Sequence, residues 1–229
     1  MIEHSDLSYP VYIKLREMII TGALKPGQKL LQEKLAKDLG VSRTPLLKAL
    51  QMLEYDYLVE SIPRRGMAVK KISVEELLDI YDVREGIESI TVRLVTERIS
   101  KEKLLILNSL WTPFIGQKSI DKEQYRKADD KFHALLLEFS QNQILQKTYS
   151  KSMVQARVVQ MGLQRPPEET LEEHLSLVNA IAEGNKDEAE KIIKLHVRRS
   201  KACIEINFSK QKQHTETLNQ TLNNIVNQK

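Results

Sequence analysis

The sequence is poor in the residues that mark secreted, membrane-spanning and β-rich proteins. Its 229 residues include a single cysteine, Cys203, which cannot form an intramolecular disulfide and suits a reducing compartment. No uninterrupted apolar run is longer than Ala134–Leu137, which is too short to span a membrane, and residues 1–10 lack a secretion signal. The 8 glycines and 7 prolines argue against an all-β or loop-rich fold. We therefore expect a cytoplasmic, mainly α-helical protein with no membrane partner.

Positive charge is concentrated in the first third of the chain, where we place a first domain over residues 1–72. The formal net charge is +4. Residues 1–72 carry 12 Lys and Arg against 8 Asp and Glu, whereas residues 73–229 carry 23 of each kind. A basic small domain joined to a neutral larger one is typical of a protein whose first domain binds a polyanion. An excess of this size alone is also within ordinary variation.

The first 72 residues begin with apolar residues at helical spacing. This spacing predicts an amphipathic helix over residues 9–21 and a second helix of about two turns over residues 31–39. Gly22 and Gly40 follow these helices and are typical of helix ends. A third helix is predicted directly after Ser42, a residue favoured at the N-cap position. A helix, a glycine turn and a capped helix make a helix-turn-helix.

Two short β-prone runs follow the third helix. They are Tyr57–Val59 and Met67–Val69, and they flank the basic segment Pro63–Gly66. Two such runs around a Pro- and Gly-containing segment predict a β-hairpin. Residues 1–72 therefore read as a winged helix-turn-helix.

The rest of the chain has helical periodicity only. Ser73 and Glu76 form a capping-box pattern at the start of the first of these helices. Helices are predicted at roughly 74–99, 101–115, 121–140, 143–163, 167–183 and 186–208. We expect an all-α helical bundle over 73–208, followed by a polar tail over 209–229 that either extends the last helix or frays.

Polar and basic residues cluster where a helix-turn-helix would meet DNA. Arg43, Thr44 and Lys48 lie in the first turns of the third helix, from which side chains reach base edges and backbone in the major groove. Gln32 and Lys34 begin the preceding helix, where backbone N–H groups and the helix dipole favour a phosphate. Each residue alone is more often a solvated surface group, but together they favour binding to double-stranded DNA.

The tip of the predicted hairpin adds a second candidate contact. Arg64, Arg65 and Gly66 lie there. A basic wing of this kind can enter a minor groove or follow the phosphate backbone. The hairpin and the third helix together predict one DNA-binding surface.

Three motifs within residues 10–69 are specific enough to indicate a family. They are Gly22…Pro26-Gly27…Leu30, the block from Leu35-Ala36 to Ser42-Arg43-Thr44-Pro45, and Gly66 on the wing. Over this range the sequence resembles the N-terminal domain of GntR-family transcription regulators. The resemblance implies a homodimeric repressor or activator that reads a short palindromic operator, with Arg43, Thr44 and the wing tip at the DNA.

Three positions depart from the family pattern. Leu47 stands where the family usually has an arginine that reaches a base, and Lys48 stands where it usually has an acidic residue. Tyr57 replaces a usual glycine before the wing. The resemblance therefore predicts DNA binding but does not predict the operator sequence.

In the second domain, three histidines and one aspartate lie on apolar flanks of three predicted helices. Asp129 and His133 are four residues apart and share one helix face, and His174 and His196 lie on two later helices. Three imidazoles and one carboxylate suit a divalent ion such as Zn²⁺, Ni²⁺ or Mn²⁺. Each histidine alone is more often a hydrogen-bonded core residue, and the alternative for Asp129 is an ion pair with Lys131 or Lys127.

The same residues carry a second resemblance. The pattern Asp129-x-x-Phe132-His133, Glu173-His174 and His196, together with Ile80–Arg84, is similar to the FCD ligand-binding domain. FCD members with this Asp and three His bind a metal in the bundle, and a small carboxylate often completes its coordination. The resemblance therefore implies such a site in this chain. Members that lack the histidines use the cavity for lipid-like effectors, so their retention implies a small polar effector.

Arg84 is the candidate partner for the carboxylate of the effector, because a guanidinium offers planar, bidentate recognition. Val83, Ile87 and Ile90 predict an apolar stripe beside it and hence its partial burial. The alternative is a surface ion pair with Glu85 or Glu88. Trp111 and Met161 are predicted to be core residues.

Two other interpretations of the second domain remain. The same Asp and three His would suit a metal-dependent hydrolase with an open water position, although no general base or nucleophile stands at a recognisable spacing. Alternatively, the histidines are structural and only DNA binding or dimerisation persists. We expect a regulator rather than an enzyme.

Overall fold

The computed structural model describes residues 7–152 and 165–226, and the chain divides into two compact units. Most of the first unit is the segment up to Ser73, and most of the second is the segment that begins at Val74. Among the described residues, no helix is long and apolar enough to cross a membrane. Met161 and part of the helix predicted over 143–163 lie outside the described residues.

The first unit is a winged helix-turn-helix, as predicted. Its elements in chain order are α1 (Ser8–Ile20), β1 (Lys29–Leu30), α2 (Gln32–Asp38), α3 (Arg43–Tyr55), β2 (Val59–Ile62) and β3 (Gly66–Val69). The three strands form an antiparallel sheet in the order β1–β3–β2. Within the hairpin, Val59 pairs with Val69 and Ile62 pairs with Gly66, so Pro63, Arg64 and Arg65 form the tip of the wing.

One strand and one strand boundary differ from the prediction. The sequence analysis did not predict β1, because two residues are too short to show an alternating pattern. The β-prone run predicted over 57–59 is a strand only from Val59 onward. Tyr57 has a φ of 58°, which is the left-handed region and is incompatible with a strand.

The helices of the first unit bury their apolar faces against one another. α1 packs on α3, and the third helix predicted after Ser42 begins at Arg43. The fully buried side chains at this contact are Leu15, Ile19, Leu46, Leu50 and Leu53. This packing leaves the first turn of α3 at the surface, with Arg43 and Thr44 exposed.

The second unit is all-α in its described part, as predicted. Its helices are α4 (Val74–Arg98), α5 (Lys101–Ser109), α6 (Lys122–Phe139), α7 (Gln143–Ser152), α8 (Pro167–Ala182) and α9 (Lys186–Val226). α9 packs along both α4 and α8. The largest side chains in its core include Trp111, Phe132, Leu177 and Ile193, which are almost completely buried.

Two helix boundaries differ from the sequence prediction. The helix predicted over 101–115 ends at Ser109 and is followed by one 3₁₀ turn, Thr112–Phe114. Pro113 has no N–H, so it cannot continue the α-helical hydrogen bonds. The helix predicted over 186–208 continues to Val226, so most of the tail extends the last helix.

The left-handed backbone at Tyr57 predicts a measurable strain. A left-handed conformation costs an L-residue roughly 1–2 kcal/mol, and glycine avoids this cost. Glycine has more conformational freedom in the unfolded chain, however, and this lowers the stability gained by about 0.4–1 kcal/mol. Tyr57→Gly and Tyr57→Ala both remove the ring, which lies 5.4 Å from the Lys70 ammonium. The free energy of unfolding should therefore be about 0.5–1 kcal/mol larger for Tyr57→Gly than for Tyr57→Ala in urea titrations. Equal stability of the two variants would show that the site is not strained.

Candidate functional site

The structure brings the three predicted histidines together inside the second unit. His133 on α6, His174 on α8 and His196 on α9 are all buried, with at most 5% of each residue exposed. Their ring centroids are 4.7 to 5.8 Å apart. One nitrogen from each ring lies within 4.8 Å of the others, which is an arrangement that could hold a metal ion. We call these three residues the histidine cluster.

Asp129 lies at the edge of the histidine cluster. Its Oδ1 atom is 3.2 Å from Nε2 of His174 and 3.8 Å from Nε2 of His133. The alternative pairing with a neighbouring lysine is not seen for Lys127, whose ammonium lies 3.6 Å from Glu123. Burial raises the pKa of Asp129, but the contact with His174 and the neighbouring imidazoles outweigh it and hold the pKa below its ordinary value. Asp129 is therefore a carboxylate at neutral pH.

Two of the rings are held by hydrogen bonds at Nδ1. The Nδ1 atom of His196 is 2.8 Å from Oε2 of Glu173, and that of His174 is 3.0 Å from the hydroxyl of Tyr125. The Tyr125 hydroxyl also lies 2.8 Å from the hydroxyl of Thr170. Nε2 is therefore the nitrogen that these two rings have left for a ligand.

Trp111 is a core residue, as predicted, and also packs on the histidine cluster. Its ring stacks on that of His174 with centroids 4.2 Å apart and planes within 7° of parallel. The contact fixes the plane of the imidazole. Because the indole is almost completely buried, it also excludes water from that side.

Two of the three histidines, His174 and His196, have the protonation state that a metal needs. Burial lowers the pKa of His174 to about 4, against opposing contributions from Asp129. Burial also lowers the pKa of His196. Both rings are therefore neutral at pH 7, and neutral imidazole is the form that binds metal.

Arg84 is buried beside the histidine cluster, more deeply than predicted. Its Nε donates to Oε1 of Glu88, one helical turn along α4, and its Nη2 is 3.2 Å from Nε2 of His133. The alternative was a surface ion pair with Glu85 or Glu88. The pair with Glu88 forms, but it is buried and not at the surface, because both Arg84 and Glu88 are at most 6% exposed. Glu85 instead pairs with Arg198.

The apolar stripe predicted beside Arg84 is only partly correct. Ile87 is buried, but Val83 and Ile90 are each 51% exposed. Arg84 is buried because it lies on the face of α4 that also carries Leu77, Tyr81 and Glu88. The Arg84 guanidinium lies 5.4 Å from the ring of Tyr81.

The donor set fits a divalent metal. Among the described residues, Nε2 of His174 is a buried polar atom without a hydrogen bond, and it lies 3.2 Å from Oδ1 of Asp129. His133 Nδ1 is 3.1 Å from Glu88 Oε2, but the two atoms do not have the geometry of a hydrogen bond. Buried polar atoms in proteins are rarely left unpaired, and an unpaired one is explained by a bound ion or water among other causes. Nitrogen donors with one carboxylate suit Zn²⁺, Ni²⁺ and Mn²⁺.

Three residues that touch this site were missed as site residues in the sequence analysis. Glu88 contacts Arg84 and lies near His133, Glu173 contacts His196, and Tyr125 contacts His174. Helical spacing offers a signal for two of them, because Glu88 is four residues after Arg84 and Tyr125 is four residues before Asp129. Glu173 directly precedes His174, and spacing gives no sign that it reaches α9.

The predicted DNA contacts in the first unit lie on two elements of the helix-turn-helix and on the wing. Gln32 begins α2 and is half-buried, and Lys34 is exposed on the same helix. Arg43 and Thr44 form the exposed start of α3. Lys48 is exposed on α3 and lines a groove with Tyr9 and Tyr12 of α1.

The wing contributes the remaining predicted contacts. Arg64 and Arg65 are exposed at the hairpin tip, and Gly66 begins β3. Arg64 has a φ of 62° and Gly66 a φ of 83°, so both residues adopt the left-handed conformation that turns the hairpin. The tip therefore presents two guanidinium groups to the solvent.

Comparison with known protein families agrees with both units. Residues 7–69 match the family described as bacterial regulatory proteins, gntR family, and residues 79–199 match the FCD domain. The chain therefore belongs to the GntR family of bacterial transcription regulators and carries an FCD domain.

Individual relatives cover most of the chain. It is 28% identical over 190 residues to the uncharacterized HTH-type regulator YdhC of Bacillus subtilis, which covers 81% of this chain and 85% of the relative. It is 25% identical to the Nta operon transcriptional regulator of Aminobacter aminovorans, over 80% and 87% of the two chains. The solved structure of Escherichia coli McbR/YncC shares the fold, with a TM-score of 0.72, 23% identity and coverage of 91% and 100%.

The family bears on one of the three interpretations of the second domain, the metal-dependent hydrolase. Its members regulate transcription, so the chain is a DNA-binding transcription regulator and not an enzyme. Nothing in these relatives supports the hydrolase interpretation.

Proposed function

We propose that the affinity of this regulator for its operator is controlled by a divalent metal and a small carboxylate effector bound in the second unit. The metal would be Zn²⁺, Ni²⁺ or Mn²⁺, held by Asp129, His133, His174 and His196. The observation that carries the proposal is the convergence of three buried imidazoles beside one ionised carboxylate. The ion would polarise a carboxylate bound beside it.

Burial of the histidine cluster supports a binding role over a purely structural one. A buried histidine that serves only as a core residue is normally satisfied by hydrogen bonds. Here the Nε2 atom of His174 lacks the geometry of a hydrogen bond and lies 3.2 Å from the ionised Asp129 carboxylate, whereas its Nδ1 atom is bonded to Tyr125. A divalent ion bound between that nitrogen and the Asp129 carboxylate would satisfy both groups.

The position of Arg84 supports a role in recognising the carboxylate of an effector. Its Nε is engaged by Glu88, which orients the guanidinium, and its Nη2 faces His133. A carboxylate beside the metal would accept from the terminal nitrogens of Arg84 in place of His133. Charge-assisted hydrogen bonds of this kind are about twice as strong as neutral ones.

The first unit would bind a palindromic operator as part of a homodimer in the cytoplasm. A two-fold symmetric protein matches a site of two inverted half-sites. Arg43, Thr44 and Lys48 would contact the major groove, and Gln32 and Lys34 would contact phosphates. The wing residues Arg64, Arg65 and Gly66 would contact the adjacent groove or backbone.

Control of DNA binding requires that the effector bind one conformation of the regulator more tightly than another. A ligand shifts such an equilibrium only by the ratio of its affinities for the two conformations. By linkage, operator DNA must change the affinity for the effector by the same factor. Reciprocal titrations can therefore measure the coupling from either side.

Arg43→Ala tests the DNA-binding surface. If Arg43 holds one phosphate, the variant should bind its operator more weakly and the slope of log affinity against log salt should fall by about one. The measurement is fluorescence anisotropy with an operator selected from random DNA. Lys14→Ala is the control, because Lys14 is an exposed residue of α1 that pairs with Glu17.

The outcomes separate two roles of Arg43. If Arg43 reads a base, discrimination between the operator and random DNA should fall while the salt slope is retained. Unchanged affinity, slope and discrimination would remove Arg43 from the interface.

Alanine substitution of each proposed ligand tests the metal site. Asp129→Ala, His133→Ala, His174→Ala and His196→Ala should each reduce bound metal and the thermal stabilisation that metal gives. A ligand bound only by the folded state stabilises it by about 2.7 kcal/mol at a hundredfold excess over Kd, and this gain falls as Kd rises. The measurements are metal content and melting temperature, with and without chelator.

A matched control is available on the same helix. His214→Ala changes a histidine 18 positions after His196 in the sequence of α9, which corresponds to about 27 Å of helix rise. It should bind metal as the wild type does. Stoichiometric metal in the double variant His174→Ala/His196→Ala would contradict the shared site and leave these histidines as core residues.

A further inference from the structure

Glu173 is a nearly buried carboxylate that contacts one proposed metal ligand and lies next to another in the sequence. Its side chain is 10% exposed on α8, and it directly precedes His174. Its Oε2 atom lies 2.8 Å from Nδ1 of His196, across the contact between α8 and α9. The proposed metal set does not include Glu173.

Two arginines complete the surroundings of Glu173. Nη1 of Arg165 donates to Oε2 at 2.8 Å, and its Nη2 donates to Oε1 at 3.1 Å. Nη1 of Arg199 donates to Oε1 at 2.6 Å. Arg165 itself is buried, with 6% of its side chain exposed. The arginines thus fix the carboxylate in two directions and balance its charge.

These contacts determine which nitrogen of His196 carries the proton. An ionised carboxylate only accepts hydrogen bonds, so a neutral His196 must donate from Nδ1. Its proton is then on Nδ1, and the lone pair is on Nε2. A metal binds the lone pair, so this tautomer is the one that makes His196 a ligand through Nε2.

We infer that Glu173 is a positioning residue for the metal site. It holds His196 in the tautomer and orientation that direct the Nε2 lone pair towards the other two histidines. The inference rests on the proposed metal site and assigns Glu173 a role outside the ligand set. Residues that orient a ligating histidine in this way are worth roughly 10- to 100-fold in metal affinity.

Glu173→Gln is the variant that tests this role, because it keeps the size of the side chain. An amide group at the Oε1 position would face donors from both Arg165 and Arg199. At the Oε2 position it would face one arginine donor and could donate to Nδ1 of His196. The second placement therefore has fewer donor–donor conflicts, and it moves the proton of His196 to Nε2.

The first measurement needs no metal. Long-range ¹H–¹⁵N NMR spectra of the full chain in chelator distinguish protonated from unprotonated ring nitrogens. For the wild type we expect His196 with Nδ1 protonated and Nε2 unprotonated, and for Glu173→Gln we expect the reverse. A purely structural role would not change the tautomer. Wild-type His196 protonated at Nε2 would overturn the inference without reference to any variant.

The second measurement is calorimetric titration with Zn²⁺ alone. Glu173→Gln should weaken Zn²⁺ binding roughly 10- to 100-fold. Glu169→Gln is the matched control: it lies one turn earlier on α8, removes the same charge and contacts Arg165 but not His196. It should bind Zn²⁺ as the wild type does.

The outcomes separate this inference from the proposed function. Wild-type affinity in Glu173→Gln, or an equal loss in Glu169→Gln, would overturn the positioning role and leave the metal site standing. A wild type that binds no Zn²⁺, Ni²⁺ or Mn²⁺ would overturn the proposed function and this inference with it. Unfolding curves of both variants in chelator show whether a loss of affinity is a loss of fold.

Discussion

The burial of ionisable groups inside the helical bundle is the constraint on which the second unit depends. Arg84, Glu88 and Glu173 are each nearly buried, and each is held by partners of opposite charge or by imidazoles. Removing one partner of such a pair typically costs about 3–5 kcal/mol, whereas a well-packed apolar replacement of the whole pair is often neutral. Stability therefore does not require these charges. The proposed binding role would account for them, because a ligand site needs charged groups that are already desolvated and oriented.

Local patterns in the sequence predicted the helices, whereas the grouping of Asp129, His133, His174 and His196 into one site was implied by the resemblance to the FCD domain. Helical spacing of apolar residues set the order of elements, and the position of His133 and His174 on apolar flanks correctly indicated burial. The contacts of Glu173 and Tyr125 were not predictable in this way, since they cross between helices whose packing is set by the whole bundle. Arg84 was predicted only as partly buried, because the prediction assigned Val83 and Ile90 to the buried face of α4. Both residues are in fact exposed, so the buried face lies elsewhere on the helix.

In the first unit, the family resemblance and the individual residues carry different information. Its motifs were specific enough to indicate the family, yet Tyr57 departs from the family pattern at a place where the backbone retains the conformation that favours glycine. The wing thus keeps its shape under a residue that does not favour that shape. Leu47 is 39% exposed on α3, so the departure there changes the surface offered to DNA and not the packing of the helix. We therefore expect fold and operator preference to be separable in this unit.

The central claim is that one ion binds between the three imidazoles and Asp129. Anomalous diffraction at the zinc absorption edge, from crystals of the full chain grown with Zn²⁺, tests it most directly. The account predicts a single strong peak in the bundle, about 2.0–2.1 Å from Nε2 of each histidine and about 2.0–2.2 Å from a carboxylate oxygen of Asp129. The absence of a peak between these residues, in crystals whose surface sites do contain zinc, would contradict it.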